Sequence, residues 1–396
     1  MTRDRIKNGA ASPDALMPNA KQKKVLIAMS GGVDSSVAAF LIKEAGYDCS
    51  AVMLSLFDTD EDAAPGSIEN CVRSAAYNDA AEVCRRLEIS FEALDYRSFF
   101  REDVVERFVA TYLDGATPNP CVECNKRIKF GRLIDYAAGH GFGCVATGHY
   151  ANVVYDAQTG RYQLYKAADS AKDQSYMLYT LSQWQLSRVM FPLGNMIKNE
   201  VRAIAEAHGL PNAGKSDSQD ICFIPDDDYP AFIERYTGTA AQCGDILDCA
   251  GNVVGGHRGA IRYTIGQRKG LGLYAPHPLY VNAKSMIDNT VTVGPESSLY
   301  SDSFIVRRVN LIPVRRLSGA VRASVKTRYS HRAQPATVEQ TGDDEIRVKF
   351  DTPQRAITPG QSAVFYDGDA VLGGGIIQNN PSRPGVDSTG FDDRFG

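Results

Sequence analysis

Between residues 24 and 147, short apolar runs alternate with segments of helical period. Lys24–Met29 (KVLIAM) is an unbroken apolar run that fits a buried strand. A glycine turn separates it from residues 36–45, a helix-period segment that Gly46 stops. Residues 49–57 and 89–94 read as strands. Residues 70–87 read as a helix, with Val72, Ala75, Ala76, Ala80, Val83 and Leu87 on one stripe. Residues 99–113 and 126–138 are two more helices, and 143–147 is a further strand. This alternation predicts a parallel sheet covered on both faces.

After residue 150 the rhythm changes. Residues 152–166 fit a hairpin, while 176–189 and 199–208 fit helices, the second stopped by Gly209 ahead of Pro211. From about 225 the chain is glycine-rich with short strands, and 300–378 is almost all β, with Asp367-Gly368 as a hairpin signal. The expected organisation is a flexible tail over 1–22, an α/β domain over 23–224, a small α+β or β domain over 225–298, a β-barrel over 299–380 and a second tail over 381–396.

With 396 residues, 43% apolar and 23% charged, the composition is that of a folded soluble protein. No run approaches the roughly 20 apolar residues that span a bilayer, and the first residues lack an apolar signal core, so no membrane partner is expected. Nine scattered cysteines in a long chain point to free thiols in a reducing, cytoplasmic setting. A net charge of −4 excludes a globally basic nucleic-acid binder, so any such role rests on local patches. One exists: Arg307, Arg308, Arg315, Arg316, Arg322, Lys326, Arg328 and Arg332 lie close together with Tyr329 and His331 interleaved, and Arg258, Arg262, Arg268 and Lys269 form a second cluster.

The turn after the first strand is Ser30-Gly31-Gly32-Val33-Asp34-Ser35-Ser36. Two glycines allow close backbone approach to a ligand, a helix N-terminus attracts anions, and Asp34 suits a magnesium ion shared with phosphates. The string lacks a Gly-Lys-Ser/Thr ending and so is not a Walker loop. An unliganded, serine-capped turn is the plainer reading. SGGVDSS resembles the pyrophosphate-binding loop of N-type ATP pyrophosphatases, which implies ATP and Mg2+. It leaves open an ATP-dependent small-molecule ligase such as argininosuccinate synthetase.

TPNPCVECNKRIKF, residues 117–130, places Cys121 and Cys124 beside a helix start and near Lys126, Arg127 and Lys129. The helix dipole and these cations are expected to lower the thiol pKa and favour a nucleophilic thiolate. A structural zinc site would need four ligands, and no second CxxC exists. A thioredoxin-like dithiol fits poorly beside a phosphate loop. A non-enzymatic metal-binding RNA module would leave SGGVDSS idle. Cys222, in SDSQDICFI, is a candidate partner thiol, although a lone cysteine there is more often a small buried hydrophobe.

SGGVDSS, TPNPCVECNKRIKF, ATGHY (146–150), KDQSY (172–176), DSQDICF (217–223), YTIGQRKGLG (263–272), VKTRYS (325–330) and TPGQSAVFY (358–366) occur in order. Together they resemble the tRNA-specific 2-thiouridylase family over about residues 23–378. The resemblance implies an enzyme that thiolates C2 of the wobble uridine, at tRNA position 34, through ATP-dependent adenylation. It implies ATP contacts at Ala28, Met29, Ser30, Gly31, Gly32, Val33, Asp34, Ser35, Leu54 and Gly148. Cys124 matches the nucleophile and Cys222 the persulfide carrier, the two expected to form a transient disulfide. Asn119, Pro120 and Cys121 match the segment facing the target base. His149, Lys172, Asp173, Gln174, Arg328, Tyr329 and Gln361 match tRNA contacts. A persulfide donor, such as a cysteine desulfurase or a sulfur relay protein, is implied as a partner. Cys121 departs from relatives that carry Asp there, and Cys121, Cys124 and Cys222 are alternatively three ligands of an iron–sulfur cluster (4Fe–4S).

Overall fold

The computed structural model describes residues 24–57, 74–215 and 221–378. Both expected tails, the start of the helix expected at 70–87 and residues 216–220 lie outside the described residues. The chain divides into two compact units. The first comprises residues up to Val104, Cys121–Gln219 and Asp369–Val371; the second comprises Val105–Pro120, Asp220–Gly368 and the residues from Leu372 on.

The first unit is built on a parallel five-stranded sheet of β1 (Lys24–Met29), β2 (Cys49–Ser55), β3 (Ser90–Asp95), β4 (Phe142–Ala146) and the two-residue β7 (Val189–Met190), in the order β3-β2-β1-β4-β7. Val25, Leu26 and Ile27 of β1 are fully buried, which is why that strand reads as a continuous apolar run. Helix α1 (Val33–Glu44) buries Val37, Ala38 and Ile42, and α2 (Ala75–Arg86) buries Ala80 and Val83 beneath an N-cap at Ser74. The chain steps from β1 outward to β2 and β3, then returns to place β4 on the other side of β1. Such a reversal opens a crevice at the carboxyl ends of β1 and β4, the usual ligand position in open α/β sheets.

Two expectations for this unit are corrected. The helix over 176–189 is instead two short helices, α7 (Ser175–Leu178) and α8 (Gln183–Leu186). Ser182 restarts the chain by a capping box with Gln185. The helix over 126–138 is longer and irregular: α5 (Pro120–Glu123) leads into a π-helical stretch, Cys124–Arg132, and then α6 (Leu133–Gly139). A shorter π-helical stretch, Arg101–Val105, follows α3 (Arg97–Phe100) and precedes α4 (Glu106–Leu113). Strands β5 (Asn152–Asp156) and β6 (Arg161–Tyr165) form the expected hairpin, and α9 (Lys198–Ala207) packs its Val201 and Ala205 into the core that α1 shares.

In the second unit, α4 and α10 (Tyr229–Thr237) accompany a four-stranded sheet, β10-β11-β8-β9, made of β8 (Gly244–Leu247), β9 (Val253–His257), β10 (Tyr280–Ser285) and β11 (Thr290–Gly294). The remaining strands are β12 (Tyr300–Leu311), β13 (Ala320–Lys326), β14 (Gln334–Gly342), β15 (Glu345–Arg355), β16 (Ser362–Asp367) and β17 (Ala370–Ile377). They run β12-β15-β14-β13-β16-β17, and β17 pairs back onto β12 to close an antiparallel barrel. Phe304, Val306, Val338, Ile346, Val348 and Phe365 fill its interior, so it is a packed core and not a pore. At the closing seam Gly373 has φ +143°, and a Cβ there would collide with the Asn310 carbonyl.

Candidate active site

The SGGVDSS turn joins β1 to α1 at the crevice. Gly31 adopts φ +71°, and a Cβ on it would strike the Ala76 backbone of α2, so only glycine fits. Gly32 caps α1 with no side-chain hydrogen bond of its own, so among the described residues no capping side chain competes with an anion for the amides of the first helical turn. The serines brace the loop from within. Ser35 Oγ accepts from the Ser30 amide at 3.2 Å and donates to the Gly32 carbonyl at 3.0 Å, and Ser36 Oγ donates to the same carbonyl at 3.1 Å. Asn212 Nδ2 donates to Ser36 Oγ at 2.8 Å and to the Gly31 carbonyl at 3.2 Å, where Lys215 Nζ also arrives at 3.3 Å. With its carbonyl held from behind, the Gly31 peptide is fixed. Gly148, just after β4, lies against the loop itself: a Cβ there would sit 2.7 Å from the Asp34 carbonyl carbon and 2.8 Å from the Ser35 nitrogen. Ala28 and Met29 close β1, and Leu54 lies near the carboxyl end of β2.

Asp34, in the first turn of α1, is fully engaged. Lys198 Nζ donates to both of its oxygens, at 2.7 and 2.8 Å, and the Tyr150 hydroxyl donates to Oδ1 at 2.7 Å. Among the described residues no group of three or more His, Cys, Asp or Glu side chains could hold a metal. Both oxygens of Asp34, the carboxylate the sequence offered to magnesium, are thus already taken by Lys198 and Tyr150.

Cys121 lies in the first turn of α5, exposed, and Cys124 lies where the α-helix widens to π, 8% exposed. The expected depression of their pKa is reversed. Burial pushes the Cys124 thiol up, against the opposing charge of Lys129; the crowded surroundings of Cys121 do the same there. Desolvation of the charged form outweighs the nearby cation. Lys129 follows Cys124 by five residues in the same π-helical stretch. Gln185 Nε2 mends the widened helix by donating to the carbonyls of Lys126 at 3.3 Å and Phe130 at 2.6 Å.

The positions matched to tRNA contacts have internal partners as well. His149 is buried; its Nδ1 shares a 2.7 Å hydrogen bond with Thr147 Oγ1, its ring lies near Phe130 and Phe191, and burial holds its pKa well below the usual histidine value. Asp173, also buried, accepts from the amides of Ala167 and Ser175, and Gln174 Oε1 accepts from the Tyr150 amide. Lys172 is half-buried beside them.

Within the second unit, Gln361 Nε2 donates to the carbonyls of Thr117 and Pro118, both at 3.0 Å, and the Thr117 amide donates to the Pro359 carbonyl. Gly360 lies so close to Thr117 that a Cβ would meet its backbone at 2.9 Å. The barrel loop over 358–361 thus clasps the stretch leading to Asn119 and Pro120. Arg328 donates to the Ala356 carbonyl and Thr358 Oγ1, while Tyr329 is exposed with Lys326 Nζ 5.5 Å from its ring centre. Cys222 is exposed on a short segment pinned by Phe223, whose ring meets Phe108 of α4 edge-on at 5.3 Å. The basic stretch is less charged than it reads: Arg307, Arg316 and Arg322 pair with Glu345, Asp343 and Asp351, all supplied by the turn after β14 and by β15. In the second cluster, Arg262 pairs with Glu234.

Sequence reasoning missed Tyr150, Lys198, Asn212, Lys215 and Gln185. Asn212 and Lys215 adjoin the DSQDICF string, and Tyr150 ends ATGHY, so proximity to a motif was a usable signal for those three.

Residues 23–226, 230–295 and 301–377 match, in order, the families described as tRNA methyl transferase HUP domain, tRNA methyl transferase PRC-barrel domain and Aminomethyltransferase beta-barrel domain. The chain is 47% identical over 366 residues to the tRNA-specific 2-thiouridylase MnmA of Geotalea uraniireducens, covering 92% of this chain and 97% of that protein. It is 44% identical over 359 residues to the tRNA-specific 2-thiouridylase MnmA of Clostridioides difficile, covering 90% and 99%. Among solved structures, the U34-tRNA thiolase NcsA of Methanococcus maripaludis with its iron–sulfur cluster aligns over 57% of this chain and 70% of that one, at 19% identity and a TM-score of 0.33, too slight a likeness to bear on chemistry. With matches that run from the phosphate loop through the barrel, and relatives that align along nearly their whole length, the chain belongs to the tRNA-specific 2-thiouridylase family.

Proposed function

We propose that this protein is a tRNA-uridine 2-sulfurtransferase that uses ATP to adenylate the C2 carbonyl oxygen of the wobble uridine and then replaces that oxygen with sulfur. The observation that carries this reading is the family membership, at 47% identity to a named 2-thiouridylase over 92% of the chain. The chemistry is self-consistent. A uridine carbonyl oxygen is a poor leaving group, and attack by that oxygen on the α-phosphorus of ATP releases pyrophosphate and converts it to a phosphate ester. The cradle at Ser30–Ser36 supplies donors for the departing pyrophosphate, with Ala28, Met29, Leu54 and Gly148 lining the nucleotide. Magnesium, when bound, neutralises phosphate charge.

Cys222 carries the sulfur as a persulfide received from a donor protein. Its terminal sulfur bonds to C2 and AMP departs. The Cys124 thiolate then attacks Cys222 Sγ, the S–S bond to the transferred sulfur breaks, and its electron pair remains on the new thiocarbonyl. A Cys124–Cys222 disulfide is left, which a two-electron thiol reductant resets. Asn119, Pro120 and Cys121 face the base, and Lys172, Asp173, Gln174, His149, Arg328, Tyr329 and Gln361 shape or contact the tRNA surface. The described residues contain no helix long and apolar enough to cross a membrane. The tRNA substrate is the ground on which we place the enzyme in the cytoplasm.

Nucleoside mass spectrometry of tRNA incubated with the protein, ATP, Mg2+ and a persulfide source tests the reading: 2-thiouridine appears, and Cys124→Ser or Cys222→Ser each abolishes it while ATP binding persists. Full thiolation by either variant would remove the two-cysteine mechanism.

A further inference from the structure

The sequence presents Asp34 as a carboxylate for a metal ion, yet in the structure it is already neutralised from within. Lys198 Nζ straddles both carboxylate oxygens at 2.7 and 2.8 Å, and its side chain is only 10% exposed. The ammonium also stands 5.9 Å from the centre of the Tyr150 ring, whose hydroxyl donates to the same carboxylate. Lys198 is fixed at the start of α9, where its amide donates to Asp169 Oδ2 at 2.9 Å. The ammonium is therefore brought to the loop by a packed helix.

Consider the loop without that ammonium. A bare carboxylate in the first turn of α1 would cancel the positive end of the helix and repel a polyphosphate. Free ATP carries about four negative charges near neutral pH, so the repulsion would be severe unless a divalent cation came first. With Lys198 in place, the Asp34–Lys198 pair is neutral, and the amides of the loop meet an incoming phosphate without a net opposing charge. A bidentate ammonium also occupies the carboxylate face where a cation would coordinate.

We propose that Lys198 is the resident counter-ion of the phosphate loop: by neutralising Asp34 it lets the nucleotide polyphosphate dock before, and independently of, a divalent cation. The inference rests on the ATP reading of the loop and assigns a role to a residue outside the SGGVDSS string. Lys198 acts here through Asp34, as a positioning residue.

The test is calorimetric titration of ATP into the full-length protein in Mg2+ and, separately, in excess EDTA. The unsubstituted chain is expected to bind in both buffers. Lys198→Met is expected to lose at least about tenfold in affinity in EDTA and distinctly less in Mg2+. Asp34→Asn combined with Lys198→Met removes both charges and is expected to restore most of the EDTA affinity. Lys198→Arg, which keeps the charge, is expected to retain it. The double variant leaves no unpaired buried charge, so the comparison survives if Lys198→Met alone folds poorly. Equal losses in both buffers without rescue by the double variant would make Lys198 merely structural and overturn the inference. Binding by the unsubstituted chain only in Mg2+ would also overturn it. Absence of ATP binding in both buffers would overturn the nucleotide reading itself.

Discussion

Gly148 gives the sharpest handle on the phosphate loop, because it touches the loop's backbone and no side chain can yield there. Replacing it with alanine adds one methyl group, 2.7 Å from the Asp34 carbonyl carbon, 2.8 Å from the Ser35 nitrogen and 2.9 Å from the Asp34 carbonyl oxygen. Ordinary carbon contacts lie at about 3.5–4.0 Å, so β4 and the start of α1 must separate by roughly 1 Å. Overpacking of this kind costs about 1–3 kcal/mol. The displaced atoms are the peptide between Asp34 and Ser35, so the strain falls on the first turn of α1, whose amides form the proposed anion cradle. If most of it is relieved by moving that peptide, ATP affinity falls by about 5- to 150-fold. Urea unfolding followed by circular dichroism reads the stability loss, and calorimetric titration of Mg-ATP reads the affinity. An alanine variant with an unchanged unfolding midpoint and unchanged affinity would refute the claim that Gly148 is required by contact with the loop.

Three further outcomes follow from the geometry. Gln361→Ala removes both hydrogen bonds to the Thr117 and Pro118 carbonyls, at about 1–2 kcal/mol in total, and should lower kcat for thiolation with little change in KM for tRNA; a raised KM with kcat intact would instead make Gln361 a direct tRNA contact. Burial raises the Cys124 pKa, so its thiolate is scarce at neutral pH and grows as pH rises; single-turnover sulfur transfer should climb between about pH 6.5 and 9, approaching tenfold per unit where this ionisation limits the rate, and a flat profile would exclude a rate-limiting Cys124 thiolate. Gln185→Ala leaves the Lys126 and Phe130 carbonyls without that donor, so hydrogen–deuterium exchange should quicken across 124–132 and alkylation of Cys124 should accelerate; unchanged protection would show that the π-helical stretch holds itself.

The parallel sheet was legible because its strands are buried on both faces and therefore uniformly apolar, and the phosphate loop because glycines and an acidic first turn are local features. What was not legible depends on distant residues. A π-helix leaves no distinct mark in the apolar pattern, and its support, Gln185, lies more than fifty residues away from the helix it mends. The sequence shows Cys124 beside cations but not that neighbouring chain excludes water from it, so the direction of its pKa shift was inverted. Arg307, Arg316 and Arg322 look unpaired along the chain because their acids arrive from the neighbouring hairpin. Exposed pairs of that kind add little stability, but they do reduce the local positive field. Lys198 lies 164 residues from Asp34, and no local pattern links them.

The seam between β12 and β17 closes the six strands into a ring, so at that seam, among the described residues, each strand already has its neighbour. Between the strands, the rims carry turns and exposed side chains, Tyr329 among them. Rim loops can therefore be exchanged, lengthened or trimmed while the hydrogen-bonded wall beneath them stays intact, so a change of loop need not disturb the packing that keeps the barrel folded.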